Sequence, residues 1–317
     1  MPDNASCPAC RSRDLSCVES VTVEVIAEAW AKERWHGKDS SLEKIRAYLL
    51  ADLGASEVEF WQCQQCALEF ALPMRSWSAN HYPVEEHSLG FDHLTVLNEL
   101  AVLPPLRILD IGCADGQFLA RASALGHDLT GIDFAAEDVE TARLNGLNAY
   151  VAEVGQLGRM FEGASRFKLI TLFQIIEHLD EPDKIFSQIN EIADHDARLI
   201  IGCPSDRRYT RRLTHPQRIN RSDFWDYPPQ HTLRWTPKAL EAFLRRHGWE
   251  IETIAYEPLT LIGAAAHLAC LEQSTANGTT NGWRRRLNTL GWLVKVSGSK
   301  FFGRATGMRL LIKARRL

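Results

Sequence analysis

The chain has 317 residues, of which 45% are hydrophobic and 24% are charged, and its formal net charge is −4. This length exceeds that of most single domains and the composition allows a sizeable core, so we expect a globular protein with two lobes. The small negative charge gives no reason to expect general nucleic-acid binding. We find neither a secretory signal sequence nor a run of about 18 apolar residues, which predicts a cytoplasmic protein.

Four of the eight cysteines form two C-x-x-C pairs, Cys7 with Cys10 and Cys63 with Cys66. Each pair can present two thiolates to one tetrahedral zinc ion, and four cysteines leave no position open for water. The sequence therefore predicts a structural Zn²⁺ in a zinc-ribbon-like lobe over residues 1–75. Because a compact ribbon has only about 15 to 20 residues between its pairs, this lobe must contain a structured insertion.

Regular structure is predicted both inside this insertion and after it. The apolar run 21–27 predicts a strand, and apolar residues at helical spacing predict an amphipathic helix over 42–53. Residues 76–105 are expected to form a linker followed by a helix over 91–103, which two consecutive prolines terminate. Trp77 on this linker is expected either to pack against the protein or to contact a substrate.

An apolar strand over 107–111 runs directly into a turn from Gly112 to Gly116 and then into a helix. Such a turn lets a ligand approach the backbone closely, and the following helix directs its free amide groups toward it. The spacing does not match the dinucleotide-binding G-x-G-x-x-G pattern, because Ala114 and Gln117 occupy the second and third glycine positions. We therefore do not expect a nicotinamide dinucleotide.

Two carboxylates flank this turn and indicate the ligand. Asp110 lies among apolar neighbours at the end of the strand, where it would repel a phosphate but attract an amine. Asp133 ends the next predicted strand, where a carboxylate can accept both hydroxyls of a ribose. An amine at one end and a ribose at the other suggest S-adenosylmethionine (SAM).

The segment 108–116, together with Gly131-Ile-Asp133, resembles the first two motifs of the class I SAM-dependent methyltransferases. Ala114 stands where that family usually has the middle glycine of the turn. The resemblance implies contacts to SAM from the turn and from the ends of the strands. These residues are Asp110, Gly112, Cys113, Ala114, Asp115, Gly116, Asp133, Phe134, Glu153, Phe173 and Gln174.

The remaining pattern predicts the fold class. Strands alternate with helices, which predicts an α/β protein with a doubly wound parallel sheet. These strands are expected at 107–111, 128–132, 147–152, 167–173 and 197–203. The resemblance implies a Rossmann-like, seven-stranded class I methyltransferase domain over 106–317, with a sixth strand over 249–256. Its seventh strand, over 308–314, would run antiparallel between the fifth and the sixth.

The fourth predicted strand is followed by Gln174-Ile-Ile-Glu-His178-Leu, which should lie at the mouth of the ligand crevice of an open parallel sheet. This segment resembles the Glu-His-Leu motif of the ubiquinone-biosynthesis-like O-methyltransferases. His178 is a candidate both for chemistry and for a wall of the pocket. His231 resembles the histidine of the substrate-side motif in that group. Because imidazole titrates near neutrality, His231 is our first candidate for the general base.

Two further segments offer alternatives. The loop 205–235 is rich in arginine and aromatic residues, which suits an anionic or sugar-bearing substrate but also a solvated flap. The domain carries an insertion over 258–306, and its basic stretch 283–303 contains aromatic and aliphatic residues. We expect this stretch either to make a peripheral membrane contact or to pack on its own domain.

These patterns predict a SAM-dependent methyltransferase that acts on a hydroxyl of a small-molecule or sugar acceptor, lipid-linked if the membrane contact is real. A sugar C-methyltransferase is an alternative, because that group also carries an N-terminal four-cysteine zinc lobe. A metal-dependent RNA 2′-O-methyltransferase is a second alternative, since Glu177, His178 and His231 match its ligand pattern, although Gln174 replaces a carboxylate. The non-enzymatic alternative is a SAM-fold binding scaffold. The sequence leaves the oligomeric state open.

Overall fold

A computed structural model describes residues 5–32, 41–78, 81, 88–152, 154–163, 165–209, 225–262, 264–265, 290–291 and 306–317. The predicted cofactor residue Glu153 and the predicted membrane-contacting stretch 283–303, apart from 290–291, lie outside the described residues. So does the most arginine-rich part of the long loop, 210–224.

The strands of the described residues are, in chain order, β1 (Leu15–Thr22), β2 (Glu57–Cys63), β3 (Glu69–Leu72), β4 (Arg107–Ile111), β5 (Asp128–Asp133), β6 (Ala149–Val151), β7 (Phe167–Phe173), β8 (Ala193–Pro204), β9 (Leu233–Arg234), β10 (Trp249–Tyr256) and β11 (Arg309–Arg316). The α-helices are α1 (Val23–Lys32), α2 (Leu42–Leu53), α3 (Phe91–Leu100), α4 (Gln117–Ala124), α5 (Ala136–Leu144), α6 (Leu157–Met160), α7 (Pro182–Ile192) and α8 (Pro237–Arg246).

A seven-stranded sheet forms the larger lobe, with the order β10-β11-β8-β7-β4-β5-β6. β7 is the middle strand, and the neighbouring β4 pairs in parallel with β5 and β7, while β11 runs antiparallel between β8 and β10. The apolar runs that predicted the inner strands are buried, since helices cover both faces of a doubly wound sheet. The predicted α/β sheet with an antiparallel seventh strand is confirmed.

A second, antiparallel sheet forms the N-terminal lobe, with the order β1-β2-β3-β9. Its last strand comes from the long loop of the larger lobe, so that Phe70 of β3 pairs with Leu233 of β9. One apolar cluster contains Leu68 and Phe70 together with Trp235 and Phe243, so the core is continuous between the two lobes. The N-terminal lobe is thus fixed to the larger lobe by backbone pairing and by packing.

The predicted strand over 21–27 is wrong beyond Thr22. The structure has a helix there, Val23–Lys32, because Val23, Ile26 and Trp30 recur at helical spacing and all three are buried. The apolar residues of this short run fit either periodicity, and packing against α2 selects the helix. The predicted helix over 42–53 is confirmed at both ends.

No helix within the described residues is long and apolar enough to cross a membrane.

Candidate active site

The turn after β4 adopts backbone conformations that favour glycine. Gly112 and Gly116 have φ angles of 81° and 85°, and Ala114 between them has a φ of 47°. A Cβ atom added to Gly112 would lie 2.1 Å from Cδ1 of Ile175, so no larger residue fits without movement of that side chain. The amides of Gly112 and Cys113 both donate to the Ile132 carbonyl, which fixes the turn against the end of β5.

Asp133 ends β5 beside this turn. Its Oδ2 accepts the Ala114 amide at 2.9 Å and its Oδ1 accepts the Ala135 amide at 2.8 Å. These two backbone donors orient the carboxylate beside the glycine turn. A carboxylate at this position, at the end of the second strand, can accept ribose hydroxyls.

Asp110 lies in β4, one residue before the strand ends, and is buried. Thr171 Oγ1 donates to Asp110 Oδ1 at 2.6 Å. Burial raises the pKa of Asp110 to about 6, although the Thr171 hydrogen bond opposes the shift. A buried carboxylate of this kind would be stabilised by a ligand that brings a cation.

A cavity of about 460 Å³ opens at the carboxyl ends of β4 and β5. This volume lies within the roughly 300 to 1,000 Å³ typical of small-molecule sites. Its wall combines the glycine turn and Asp133 with His178 and with residues of the N-terminal linker. The residues that line it include Gly112, Asp133, Phe134, Ala152, Ile175, His178, Trp77 and Pro229. Of the predicted cofactor residues, Gly112, Asp133 and Phe134 line this cavity, whereas Asp110, Ala114 and Gly116 are not among its lining residues.

Trp77 belongs both to the N-terminal lobe and to this cavity. Its indole packs edge-on against Trp30 with ring centroids 6.1 Å apart, and its backbone amide donates to the Pro229 carbonyl at 3.2 Å. Packing and ligand contact, which the sequence offered as alternatives for this residue, are therefore compatible.

Three of the predicted cofactor residues direct their side chains into the protein. Cys113 is buried next to Gly131, and the Phe173 ring packs against His93 at a tilt of 34°, with ring centroids 4.2 Å apart. The Gln174 amide donates to Asp92 at 2.9 Å, because that buried carboxylate offers a charged acceptor. At the helix N-terminus, Asp115 accepts a hydrogen bond from Gln117 at 3.0 Å.

His178 lines the cavity, and its ring contacts that of the buried His231, which is not among the lining residues, with centroids 4.7 Å apart. His178 Nδ1 lies 2.5 Å from the Gln230 carbonyl, which can only accept, so the proton is on Nδ1 and Nε2 is the acceptor. Burial lowers the pKa of His178 to about 3 and also lowers the pKa of His231. Both imidazoles are therefore neutral at physiological pH.

Glu177 lies beside this histidine pair and is buried. Among the described residues, neither oxygen of its carboxyl group has a hydrogen-bond partner, and burial raises its pKa well above the ordinary value. Donor atoms of Glu177, His178 and His231 lie within 4.8 Å of one another. Such a buried group of one carboxyl and two imidazoles has the donors that divalent metals bind.

Asp226 was missed by the sequence reasoning. This buried carboxylate contacts His231 and two arginines, Arg208 and Arg234, which are also buried. Asp226 precedes His231 by five residues in an irregular turn, a spacing that carries no helix or strand signal. Only the folded chain brings the two arginines to it.

The four predicted zinc ligands converge in the N-terminal lobe. Sγ atoms of Cys7 and Cys66 are 3.5 Å apart, as are those of Cys10 and Cys63, and all four lie within 4.8 Å of one another. A tetrahedral zinc with Zn–S bonds of about 2.3 Å separates its sulfurs by about 3.8 Å, so the cluster has the dimensions of such a site. The Arg246 side chain of α8 donates to the carbonyls of Pro8 and Ala9, which docks this lobe on the larger one.

The sequence profile described as "Methyltransferase domain" matches residues 79–254, more than half of the chain. The chain belongs to this family. Among curated relatives of this methyltransferase is a ubiquinone biosynthesis O-methyltransferase of Bordetella avium, 27% identical over 61% of this chain and 83% of that protein. A protein of the same name from Xanthomonas campestris is 30% identical over 35% of this chain, and that match spans 48% of its length.

Among solved structures, a SAM-dependent methyltransferase from Archaeoglobus fulgidus aligns with a TM-score of 0.46 and 16% identity, covering 71% of this chain and 94% of that one. The family match, together with the sheet order, confirms the predicted class I SAM-dependent methyltransferase. The prediction that the chain is an enzyme is likewise confirmed.

Proposed function

We propose that this methyltransferase transfers the methyl group of SAM to a hydroxyl of a small-molecule or sugar acceptor. The observation that carries the proposal is the neutral histidine pair, His178 with His231, at the edge of the cavity that Gly112 and Asp133 line. A hydroxyl must lose its proton as it accepts a methyl group, and a neutral imidazole can take that proton. The curated relatives are named as O-methyltransferases, which supports oxygen as the nucleophile.

In this proposal the turn and its two carboxylates hold SAM. Asp133 would accept the ribose hydroxyls, because its oxygens are already oriented by two backbone amides. Asp110 would attract the ammonium group, since a cation compensates its buried charge. Backbone around Gly112 and Gly116 would contact the methionine part, and Phe134 and Ala152 in the cavity wall would flank the adenine. SAM supplies the electrophilic methyl group.

We assign the base to His231 and the wall to His178. His178 lines the cavity, but its pKa of about 3 makes it a poor acceptor of a proton. His231 contacts the Asp226 carboxylate, which stabilises the imidazolium formed when the proton arrives. Most of the rate acceleration would come from holding the hydroxyl in line with the methyl group, because orientation can contribute about 7 to 11 kcal/mol.

Replacing His231 by alanine tests this assignment. We expect turnover to fall about 100-fold or more, whereas the affinity for S-adenosylhomocysteine (SAH) should not change. His195→Ala is the matched control, because that histidine is exposed on the far end of β8. SAH release would be measured with a catechol, a nucleoside diphosphate sugar and an RNA oligonucleotide as acceptors. Unchanged turnover of His231→Ala with the accepted substrate would remove His231 from the mechanism.

The cluster of Glu177, His178 and His231 supports a second candidate, a metal-dependent transfer to one of two adjacent hydroxyls such as those of an RNA 3′ end. Within the part of the chain that the structure describes, the Glu177 carboxyl has no hydrogen-bond partner, which favours this candidate, because a divalent cation would compensate its burial. The Gln174 side chain, turned toward Asp92, does not join the cluster. Activity lost with a chelator and restored by Mg²⁺ or Mn²⁺, but not by Zn²⁺, would select this candidate over the metal-free one.

The four-cysteine cluster supports a structural zinc, which these residues would hold without an open coordination position.

A sugar C-methyltransferase is consistent with the same lobe. The product distinguishes the two reactions, since an O-methyl and a C-methyl group have well-separated proton chemical shifts.

A further inference from the structure

The side chain of Asp226 is the centre of a buried network of charges. Its Oδ2 lies 2.5 Å from Nη2 of Arg208 and 3.1 Å from Nε of Arg234. All three side chains are at least 90% buried. Charged hydrogen bonds in such a dry environment hold their partners strongly, so the orientation of the carboxylate is fixed.

This orientation leaves the other oxygen of Asp226 facing a histidine. Oδ1 lies 3.3 Å from Nδ1 of His231, and the ring of Trp225 packs edge-on against the imidazole with centroids 5.1 Å apart. A carboxylate can only accept a hydrogen bond, so the contact keeps the histidine proton on Nδ1. Nε2, on the opposite side of the ring, is then the nitrogen with a free lone pair.

The network also reaches the N-terminal lobe. Nη1 of Arg234 lies 3.0 Å from Glu19 of β1 and 3.3 Å from Glu69 of β3, and its guanidinium stacks on Phe60 at 3.6 Å. The Tyr227 hydroxyl donates to Glu19 at 2.5 Å. Arg234 therefore holds Asp226 on one side and the zinc-ribbon-like lobe on the other.

We infer that Asp226 is the positioning residue of His231, fixing its ring and its Nδ1 tautomer, and that Arg234 ties this pair to the N-terminal lobe. The inference rests on the proposed function, in which Nε2 of His231 takes the acceptor's proton. The N-terminal lobe, besides carrying the cysteine cluster, thus contributes to the support of the catalytic site. Asp226 acts through His231 and is not required to touch substrate or cofactor.

The test is the tautomer of His231, which does not depend on knowing the acceptor. Long-range ¹H–¹⁵N correlation spectra of histidine-labelled protein in the presence of SAH distinguish a proton on Nδ1 from one on Nε2. His231→Gln identifies the His231 signal by its loss. In the wild-type protein we expect the Nδ1 tautomer.

Asp226→Asn keeps the shape of the side chain but gives it an amide that can donate. The arginines would attract the amide oxygen, which turns the NH₂ group toward Nδ1 of His231. We expect the proton to move to Nε2 and the affinity for SAH to stay within threefold of wild type. Asp183→Asn is the matched control, because Asp183 also contacts one histidine and two arginines, namely His247, Arg11 and Arg246. It should leave the His231 signal unchanged.

If the spectra of the wild-type protein show the His231 proton on Nε2, the inference is overturned. This measurement needs no Asp226 variant, so it remains decisive even if Asp226→Asn does not fold. An unchanged Nδ1 tautomer in folded Asp226→Asn would also overturn it. These results are independent of the turnover of His231→Ala, which decides whether His231 is the base at all.

Discussion

The glycine turn after β4 can be tested by adding a single methyl group. Gly112 has a φ of 81°, and its absent Cβ would lie 2.1 Å from Cδ1 and 2.5 Å from Cγ1 of Ile175. Ile175 also lines the cavity, so any movement that relieves the overlap changes the wall of the proposed SAM site. Gly112→Ala should therefore lower both the stability of the fold and the affinity for the ligand.

The structure sets the size of the effect. A left-handed backbone conformation costs an alanine roughly 1 to 2 kcal/mol. Moving Ile175 out of its rotamer costs about 0.5 to 1.5 kcal/mol more. We therefore expect Gly112→Ala to lower the free energy of unfolding by roughly 1.5 to 3.5 kcal/mol.

Gly126→Ala is the matched control, because Gly126 has a φ of 91° but a Cβ there meets nothing within 4 Å. This variant should lose only the backbone contribution of about 1 to 2 kcal/mol and bind SAH like the wild type. Gly112→Ala should bind SAH at least about tenfold more weakly, which corresponds to about 1.4 kcal/mol. Urea denaturation and calorimetry measure the two quantities. If both variants lose equal stability and bind SAH equally, the close packing assigned to this turn is incorrect.

Two further predictions concern the metal and the buried carboxylate. Cys63→Ser should abolish stoichiometric zinc binding, measured by elemental analysis, and should destabilise the N-terminal lobe. The control Cys17→Ser, at an exposed cysteine, should retain one zinc per chain. Equal zinc content in the two variants would contradict the proposed zinc site. Burial raises the pKa of Asp110 from 3.8 to about 6. Between pH 3.8 and about 6 the Asp110 carboxyl is therefore protonated in the folded chain but ionised in the unfolded chain. The unliganded protein should therefore lose stability as the pH rises from about 4 to 6, and Asp110→Asn should remove that component. SAM affinity should rise over the same interval, and a pH-independent affinity would argue against Asp110 as the cation's partner.

Strands of the large sheet could be predicted closely because each is a short apolar run bounded by turn residues. β7 and β10 begin and end at the predicted residues. β7 is buried along nearly its whole length, as expected of an inner parallel strand, whereas β10 is a partly exposed edge strand. The two C-x-x-C pairs predicted that four distant cysteines converge, which they do, and the zinc ion that they would hold stays a prediction.

The sequence did not predict which distant segments contact each other. The pairing of β9 with β3 brings Arg234 to Glu69, and neither strand carries a signal for the other. The helix α1 was misassigned because tertiary packing, rather than local periodicity, decides such short apolar runs. The side-chain amide of Gln174 donates to the salt-bridged Asp92 of α3, a contact that the sequence does not indicate, and the contact of Gln174 with the cofactor stays a prediction.

A crystal structure with bound SAH tests the central claim most directly. We expect both ribose hydroxyls within hydrogen-bonding distance of Asp133 and the methionine ammonium on the side of Asp110, with the sulfur facing His178. Adenosine bound anywhere other than beside Asp133 would contradict the proposed site and every residue role derived from it.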